Sequence, residues 1–304
     1  MIDILTALIP IFSLIMIGYF FKKIKFPSHD FWPQADKLTY YILMPSLLIY
    51  KLSTASINST NSTNYVLTAL ITIFIVLLIL FIFNKLFNFE VDSFTSIVQG
   101  GIRFNTYVFL ALADAILGDN GIVLAAILLT FVIPFINILC ISTFALYISQ
   151  NKLTFMYFFK SIVTNPLIIA CFIGGTINFL NISIPVVLEN TLDILGQAAL
   201  PLGLLSIGFG LVLKEIKSSK KDIIVSSFAK HLLTPIIMFF IANAFSLDKE
   251  MIAVLLIFSV LPTAPSSFIL ARQLGGNISL MSSIITIQTL ISSLFIIVVL
   301  NYFI

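Results

Sequence analysis

Hydrophobic positions in this chain fall in long unbroken runs, not in the alternating or three-to-four-residue stripes of a soluble fold. Ten runs reach bilayer-spanning length, about 20 residues each: 3–21, 34–52, 65–84, 94–116, 120–148, 157–179, 185–213, 222–244, 250–271 and 278–302. Short polar or charged breaks separate them. Runs 120–148 and 185–213 have room for a tilted or bent helix, or a short surface lead-in, but not for two spans. The first run follows Met1-Ile2-Asp3 with no basic region before it, so it is expected to be a retained helix and not a signal peptide. The expected fold class is an all-α membrane protein of ten transmembrane helices.

Composition supports this. Of 304 residues 60% are hydrophobic and 10% charged, against about a quarter charged in soluble domains. Mean hydropathy is +1.14, and 30 phenylalanines are spread over the whole length, which excludes a soluble domain on a single tether. The net charge of +3 reflects loop lysines and gives no support to nucleic-acid binding. Cys140 and Cys171 sit inside apolar runs and are expected to be packing residues, so neither a disulfide framework, a metal site nor a cofactor is expected.

Basic residues orient the spans, because Lys and Arg are retained on the cytoplasmic side. Odd-numbered connections carry eleven of them: Lys22, Lys23, Lys25, Lys85, Lys152, Lys160, Lys214, Lys217, Lys220, Lys221 and Arg272. Even-numbered connections carry only Lys51 and Lys249. A multi-pass protein of the cell membrane is expected, with both termini extracytoplasmic and the 149–156 connection cytoplasmic. The polar segment 53–64 is then an outer loop; its Asn-Ser-Thr triplets at Asn58 and Asn61 arise readily in such low-complexity sequence and carry little weight as glycosylation sites.

Five helices followed by five more enter the membrane from opposite sides, which makes the halves 1–148 and 157–304 inverted repeats. Landmarks recur at an offset of about 157 residues. Asp36 precedes Pro45-Ser46-Leu47-Leu48 by nine positions, and Asp193 precedes Pro201-Leu202-Gly203-Leu204 by eight. Spans four and nine are both interrupted near mid-membrane. Span four reads Gly100-Gly101-Ile102-Arg103-Phe104-Asn105-Thr106-Tyr107, and span nine reads Leu261-Pro262-Thr263-Ala264-Pro265-Ser266. The two prolines remove backbone donors and clash with the preceding turn, so a continuous helix is not expected there. Broken helices at corresponding places in two halves point to a transporter's binding site, since the backbone groups they free must line a cavity or a partner element. Crossed breaks present half-helix N-termini that favour an anion, and Arg103 adds a permanent positive charge beside one of them. A small carboxylate suits this arrangement.

These residues resemble the auxin efflux carrier family, which includes plant auxin exporters and bacterial carriers of malonate, malate and related acids. The resemblance covers essentially the full chain and rests on Leu43-Met44-Pro45-Ser46-Leu47-Leu48, Arg103-Phe104-Asn105-Thr106-Tyr107, Asn165-Pro166-Leu167, Ala199-Leu200-Pro201-Leu202-Gly203 through Gly208, and Leu261-Pro262-Thr263-Ala264-Pro265. It implies two inverted five-helix repeats forming interleaved scaffold and core domains, similar to bile acid sodium symporters and sodium/proton antiporters. It also implies crossed broken helices, elevator-like alternating access and a homodimer. Where plant exporters carry a proline at the span-four break, this chain has Arg103-Phe104-Asn105, and its 149–156 connection lacks the long regulatory loop of many plant members.

Asn105 is the first choice for substrate contact, the alternative being a cap on the second half-helix. Arg103 can pair with a substrate carboxylate, neutralise Asp114 or satisfy carbonyls at the break. Thr106 and Tyr107 follow in the same motif, and Thr263, Ala264 and Ser266 face them from span nine, opened by Pro262 and Pro265. Ser46, after Pro45, either faces the cavity or bonds back to its own helix. Gly100, Gly101, Pro201 and Asn165 are expected to shape the helix breaks and kinks. Asp36 and Asp193, with Lys37 and Lys230 as available partners, are either proton-coupling groups or helix-start carboxylates favoured by the dipole, the second being preferred. Gln197 and Gln288 line the pathway or bridge helices, and His231 is read as packing or interfacial.

A secondary carrier of small organic anions is therefore expected, with a sodium- or proton-coupled symporter of the bile acid type as the alternative. An intramembrane enzyme would need a nucleophile with a positioned base or paired carboxylates at membrane depth. With His29 and His231 as the whole histidine complement, no such set is visible, and no enzyme is expected. A channel fits a pseudosymmetric pair of broken helices less well than a closed binding site does.

Overall fold

The computed structural model describes residues 2–55, 62–148, 163–212 and 220–303. The 149–156 connection, Asn58, Asn61, Lys152, Lys160, Lys214, Lys217 and the first residues of run 157–179 lie outside them. The described residues contain helices and turns and no strand, as a chain surrounded by hydrocarbon requires, since a helix satisfies its backbone groups internally. Among the described residues, five helical stretches are long and apolar enough to cross a membrane: Ser62–Phe87, Val91–Tyr147, Val186–Gly210, Lys220–Ala244 and Ile278–Tyr302. Helix α4 (Ser62–Phe87) shows what such a helix buries. Tyr65, Ala69, Thr72, Val76 and Leu80 are buried on one face, while Leu67, Ile71, Phe74, Leu78 and Ile82 are exposed on the other. An exposed stripe of large apolar side chains is costly in water and costs nothing in lipid. The protein is an all-α membrane protein.

The chain divides into two compact units, each drawing on separate stretches of sequence. The first comprises residues 1–60, 110–133 and 158–210. It contains α1 (Ile2–Ile24), α2 (Phe31–Leu38), a π-helical turn π1 (Thr39–Leu43) and α3 (Met44–Ser53), with α7 (Pro166–Phe179) and α8 (Val186–Gly210) from further along the chain. Its helices approach through glycine. A Cβ on Gly18 of α1 would lie 1.9 Å from the Leu205 carbonyl oxygen, and one on Gly208 of α8 would lie 1.8 Å from that of Ile15. Each glycine thus admits the other helix's backbone, the way helices gain dispersion contact where the surroundings offer no hydrophobic drive. Asn178 of α7 donates to the carbonyls of Ser53 and Ala55, at 3.2 and 2.7 Å, closing acceptors that the end of α3 leaves open.

The second unit comprises residues 61–109, 134–157 and 211–304. It holds α4, α5 (Val91–Ile102), α9 (Lys220–Phe228), π2 (Ala229–Leu233), α10 (Thr234–Ala244), α11 (Lys249–Ser259), α12 (Ser266–Leu274) and α13 (Ile278–Phe303). Helix α6 (Thr106–Tyr147) continues from this unit through the first and back. At Gly118 its backbone turns to φ 59°, ψ −144°, a conformation open to glycine, so runs 94–116 and 120–148 meet in one abrupt turn.

Both π turns precede a proline. Pro45 and Pro235 have no N–H, and in each case the preceding backbone widens: the Met44 amide reaches back to the Thr39 carbonyl, and the Thr234 amide to that of Ala229. The helix continues across each proline through a five-residue turn instead of breaking. Pro201 is likewise accommodated inside α8.

Candidate functional site

Two helices stop within the second unit. Helix α5 ends at Ile102 and the chain resumes as α6 at Thr106; α11 ends at Ser259 and the chain resumes as α12 at Ser266. Gly100 and Gly101 lie in the last turn of α5, ahead of the break and not in it. They let α5 come close to its neighbours: a Cβ on Gly100 would stand 2.1 Å from Ser226 Oγ and 2.6 Å from Ile284 Cγ2, and one on Gly101 would stand 2.7 Å from Leu80 Cδ1. Behind the breaks, Phe104, Phe109 and Phe258 form an edge-to-face cluster with centroids 4.7 to 5.9 Å apart.

The breaks are joined to each other. The Asn105 amide donates to the Pro262 carbonyl at 2.8 Å, and the Thr263 hydroxyl donates to the Gln99 carbonyl at 3.2 Å. Gln288 of α13 accepts from the Thr263 amide and donates to the Gly100 carbonyl, both at 3.0 Å. Gln288 therefore bridges helices, one of its two expected uses. Backbone groups that the two helix ends would leave bare are thus largely hydrogen-bonded within the crossing.

Asn105 caps α6: its Oδ1 accepts from the amides of Tyr107 and Val108, at 3.0 and 3.3 Å. Its Nδ2 is buried and makes no hydrogen bond. The cap therefore uses the acceptor end of the amide and leaves the donor end available. Asn165 caps α7 in the same way, accepting from Leu167 and Ile168, with Pro166 in the first turn.

Arg103 is half-buried and reaches from the first break to the second. Its guanidinium donates to Ser266 Oγ at 3.1 Å and to Asn137 Oδ1 of α6 at 3.3 Å, while its Nε is buried and unbonded. Both acceptors are neutral, the buried Cys140 thiol also interacts with the guanidinium, and among the described residues no carboxylate forms an ion pair with it. Asp114 has Lys51 and Asp119 as its electrostatic partners. Among the described residues, the positive charge at the crossing therefore has no carboxylate in ion-pair range.

On the second break, Thr263 is buried, with its hydroxyl also 3.2 Å from Ser267 Oγ. The Ala264 carbonyl accepts from the Ser267 amide, and that of Pro265 from the Phe268 amide, which starts α12. Thr106 and Tyr107 form the first turn of α6. The structure thus brings together Arg103, Asn105, Thr106, Tyr107, Pro262, Thr263, Ala264, Pro265 and Ser266 in the second unit. Pro45, Ser46, Pro201, Asn165, Asp36 and Asp193 belong to the first. There Ser46 donates to the Ile42 carbonyl of its own helix at 2.8 Å. Asp36 accepts from Ser206, and Asp193 from Gln197 at 2.9 Å.

Lys230, considered from the sequence as a carboxylate partner, is buried in π2 with its ammonium 5.2 Å from the Phe258 ring centroid. His231 stacks on Phe295 at 4.9 Å, a packing role. Three polar residues were not singled out from sequence: Gln99, whose amide is buried without a hydrogen bond, Asn137 and Ser226. Gln99 and Asn137 each stand as an isolated amide in an apolar run, the one signal that marked them.

A family model described as "Membrane transport protein" matches residues 149–300. The chain is also similar to a protein of Rhizobium meliloti (strain 1021) described as "Putative malonate transporter", at 24% identity over 298 residues, 96% of this chain and 93% of that protein.

Proposed function

This chain belongs to the membrane transport protein family, of the auxin efflux carrier type, and we propose that it is a secondary carrier of small organic anions whose binding site is the crossing of the two breaks. The observation that carries this reading is Arg103, a cation facing neutral partners between two interrupted helices, beside the unbonded Nδ2 of Asn105. A carboxylate supplies what both lack, a negative charge and an acceptor. Malonate- or malate-like acids, or auxin-like acids, have the right chemistry, and the description of the Rhizobium meliloti relative agrees with the first of these.

In this reading the ten runs are ten spans, arranged as inverted repeats 1–148 and 157–304 about a cytoplasmic 149–156 connection, with both termini extracytoplasmic. Elevator-type movement of a core domain carrying the breaks gives alternating access, and the protein works as a homodimer in the cell membrane. Sodium coupling ranks below uniport or proton coupling, because the carbonyls of Gln99, Gly100 and Pro262 are already hydrogen-bonded within the crossing and no acidic side chain stands in either break.

The test is a proteoliposome uptake screen of labelled organic acids, malonate first, with and without imposed sodium and proton gradients. Saturable uptake of a carboxylate independent of sodium is expected. Uptake of no organic acid under any gradient overturns the reading.

A further inference from the structure

Gln288 sits midway along α13 and is fully buried, yet both ends of its carboxamide are engaged by backbone. The two groups it engages are of a particular kind. Gly100 lies in the last turn of α5, where carbonyls run out of helical donors, and Thr263 lies in the break ahead of α12, where an amide has no preceding turn to bond. Hydrocarbon satisfies neither. Gln288 supplies an acceptor to one and a donor to the other, from a planar group whose two ends have a fixed separation. Ser226 of α9 offers Nε2 a second, longer contact at 3.4 Å.

We propose that Gln288 is a positioning residue of the crossing: by holding the Gly100 carbonyl and the Thr263 amide on one carboxamide, it sets the spacing of the two broken helices. The remaining bonds of the crossing, Asn105 to Pro262, Thr263 to Gln99 and Arg103 to Ser266, tie one break to the other. Gln288 ties both to a third, unbroken helix. Close approach makes this possible, since the methyl that crowds Gly100 belongs to Ile284, one turn before Gln288 on α13. A side chain at 288 that lacks either function leaves a buried backbone group unpaired. Leucine, of similar size, lacks both, and an ionised glutamate accepts but cannot donate. A protonated glutamic acid does both again. The consequence for anion binding rests on the transport reading: the spacing of the breaks decides whether Arg103 on one and Ser266 on the other meet the same ligand.

The experiment uses the full-length protein in lipid, with hydrogen exchange read over segments 100–107 and 260–267 and uptake of labelled malonate measured in parallel. Gln288→Leu is expected to speed exchange in both segments together and to raise the KM for uptake, each roughly tenfold or more. Gln288→Glu is expected to match the wild type, compared at the same pH, while the glutamic acid is protonated, and to lose the bond to the Gly100 carbonyl, with faster exchange and a raised KM, as the pH is raised until it ionises. Should Gln288→Leu fail to fold, Gln288→Glu prepared in acid carries the test. Exchange unchanged in either segment, or a Gln288→Glu variant indifferent to pH, overturns the proposal. Wild-type protein that takes up neither malonate nor any other labelled organic acid while the exchange results hold counts against the transport reading and leaves the brace standing. Wild-type uptake that Gln288→Leu leaves unchanged counts against the brace alone.

Discussion

The backbone amide of Asn105 donates to the carbonyl of Pro262 at 2.8 Å, so two breaks more than 150 residues apart in sequence are joined main chain to main chain. Each break supplies what the other is missing. Asn105 precedes α6, where amides are in excess, and Pro262 follows α11, where carbonyls are. Left over after this exchange are two side-chain donors, Asn105 Nδ2 and Arg103 Nε, and both ends of the Gln99 carboxamide, all buried and unbonded. In the proposed reading, an anionic acceptor is what the unbonded donors and the Arg103 charge would take.

Asn105 has two functions that substitution can separate. Asn105→Asp keeps an oxygen for the amides of Tyr107 and Val108, and loses the donor end while adding a negative charge. It is expected to fold with a thermal midpoint close to the wild type and to lose at least about tenfold in carboxylate uptake. Asn105→Ala loses the cap as well and is expected to lose about 1 kcal/mol of stability, readable in detergent unfolding.

Arg103 is expected to act through charge. Arg103→Gln retains hydrogen-bonding capacity but no charge, and its KM for a carboxylate should rise by roughly 10- to 100-fold. Arg103→Lys keeps the charge without the fork that spans Ser266 and Asn137, and an intermediate KM is expected. Initial uptake rates against substrate concentration distinguish the three proteins.

Gly208 tests packing within the first unit. A methyl there meets the Ile15 carbonyl at 1.8 Å, and backbone cannot step aside as a flexible side chain can. Gly208→Ala is expected to destabilise the protein by about 1–3 kcal/mol or more, measured as a lowered thermal midpoint. Gly175, which has open space at its Cβ, is the control, and Gly175→Ala should be nearly silent.

The ion pair between Lys51 and Asp119, 2.5 Å apart in the first unit, is expected to contribute little. The Asp119 side chain is 79% exposed, and solvent screens such pairs to below about 1 kcal/mol. Asp119→Asn should leave the thermal midpoint within a degree or two of the wild type.

The two breaks were legible in sequence because their causes are local. A Pro-x-x-Pro pair in an apolar run cannot be helical throughout, and an arginine beside a glycine pair is improbable in a span unless used. Three things were not legible, for physical reasons. The partners of Gln288 are backbone groups, which carry no residue identity to read. Pro45 and Pro235 announce a disturbance but not its resolution into a π turn, because that depends on how the preceding backbone relaxes. Gly18 and Gly208 look like any of the 13 glycines until folding brings each against the other helix's carbonyl. Gly100 and Gly101, expected from the sequence to shape the break, instead let α5 lie close to its neighbours just before the break begins.

The most direct test of the central claim is a competition measurement in proteoliposomes: uptake of labelled malonate by the wild-type protein, challenged with unlabelled malonate and with its uncharged diamide. Saturable uptake is expected that unlabelled malonate abolishes, that the diamide leaves intact, and that Arg103→Gln and Asn105→Asp each reduce at least about tenfold. Equal inhibition by the uncharged diamide, or uptake undiminished in both variants, would contradict that claim.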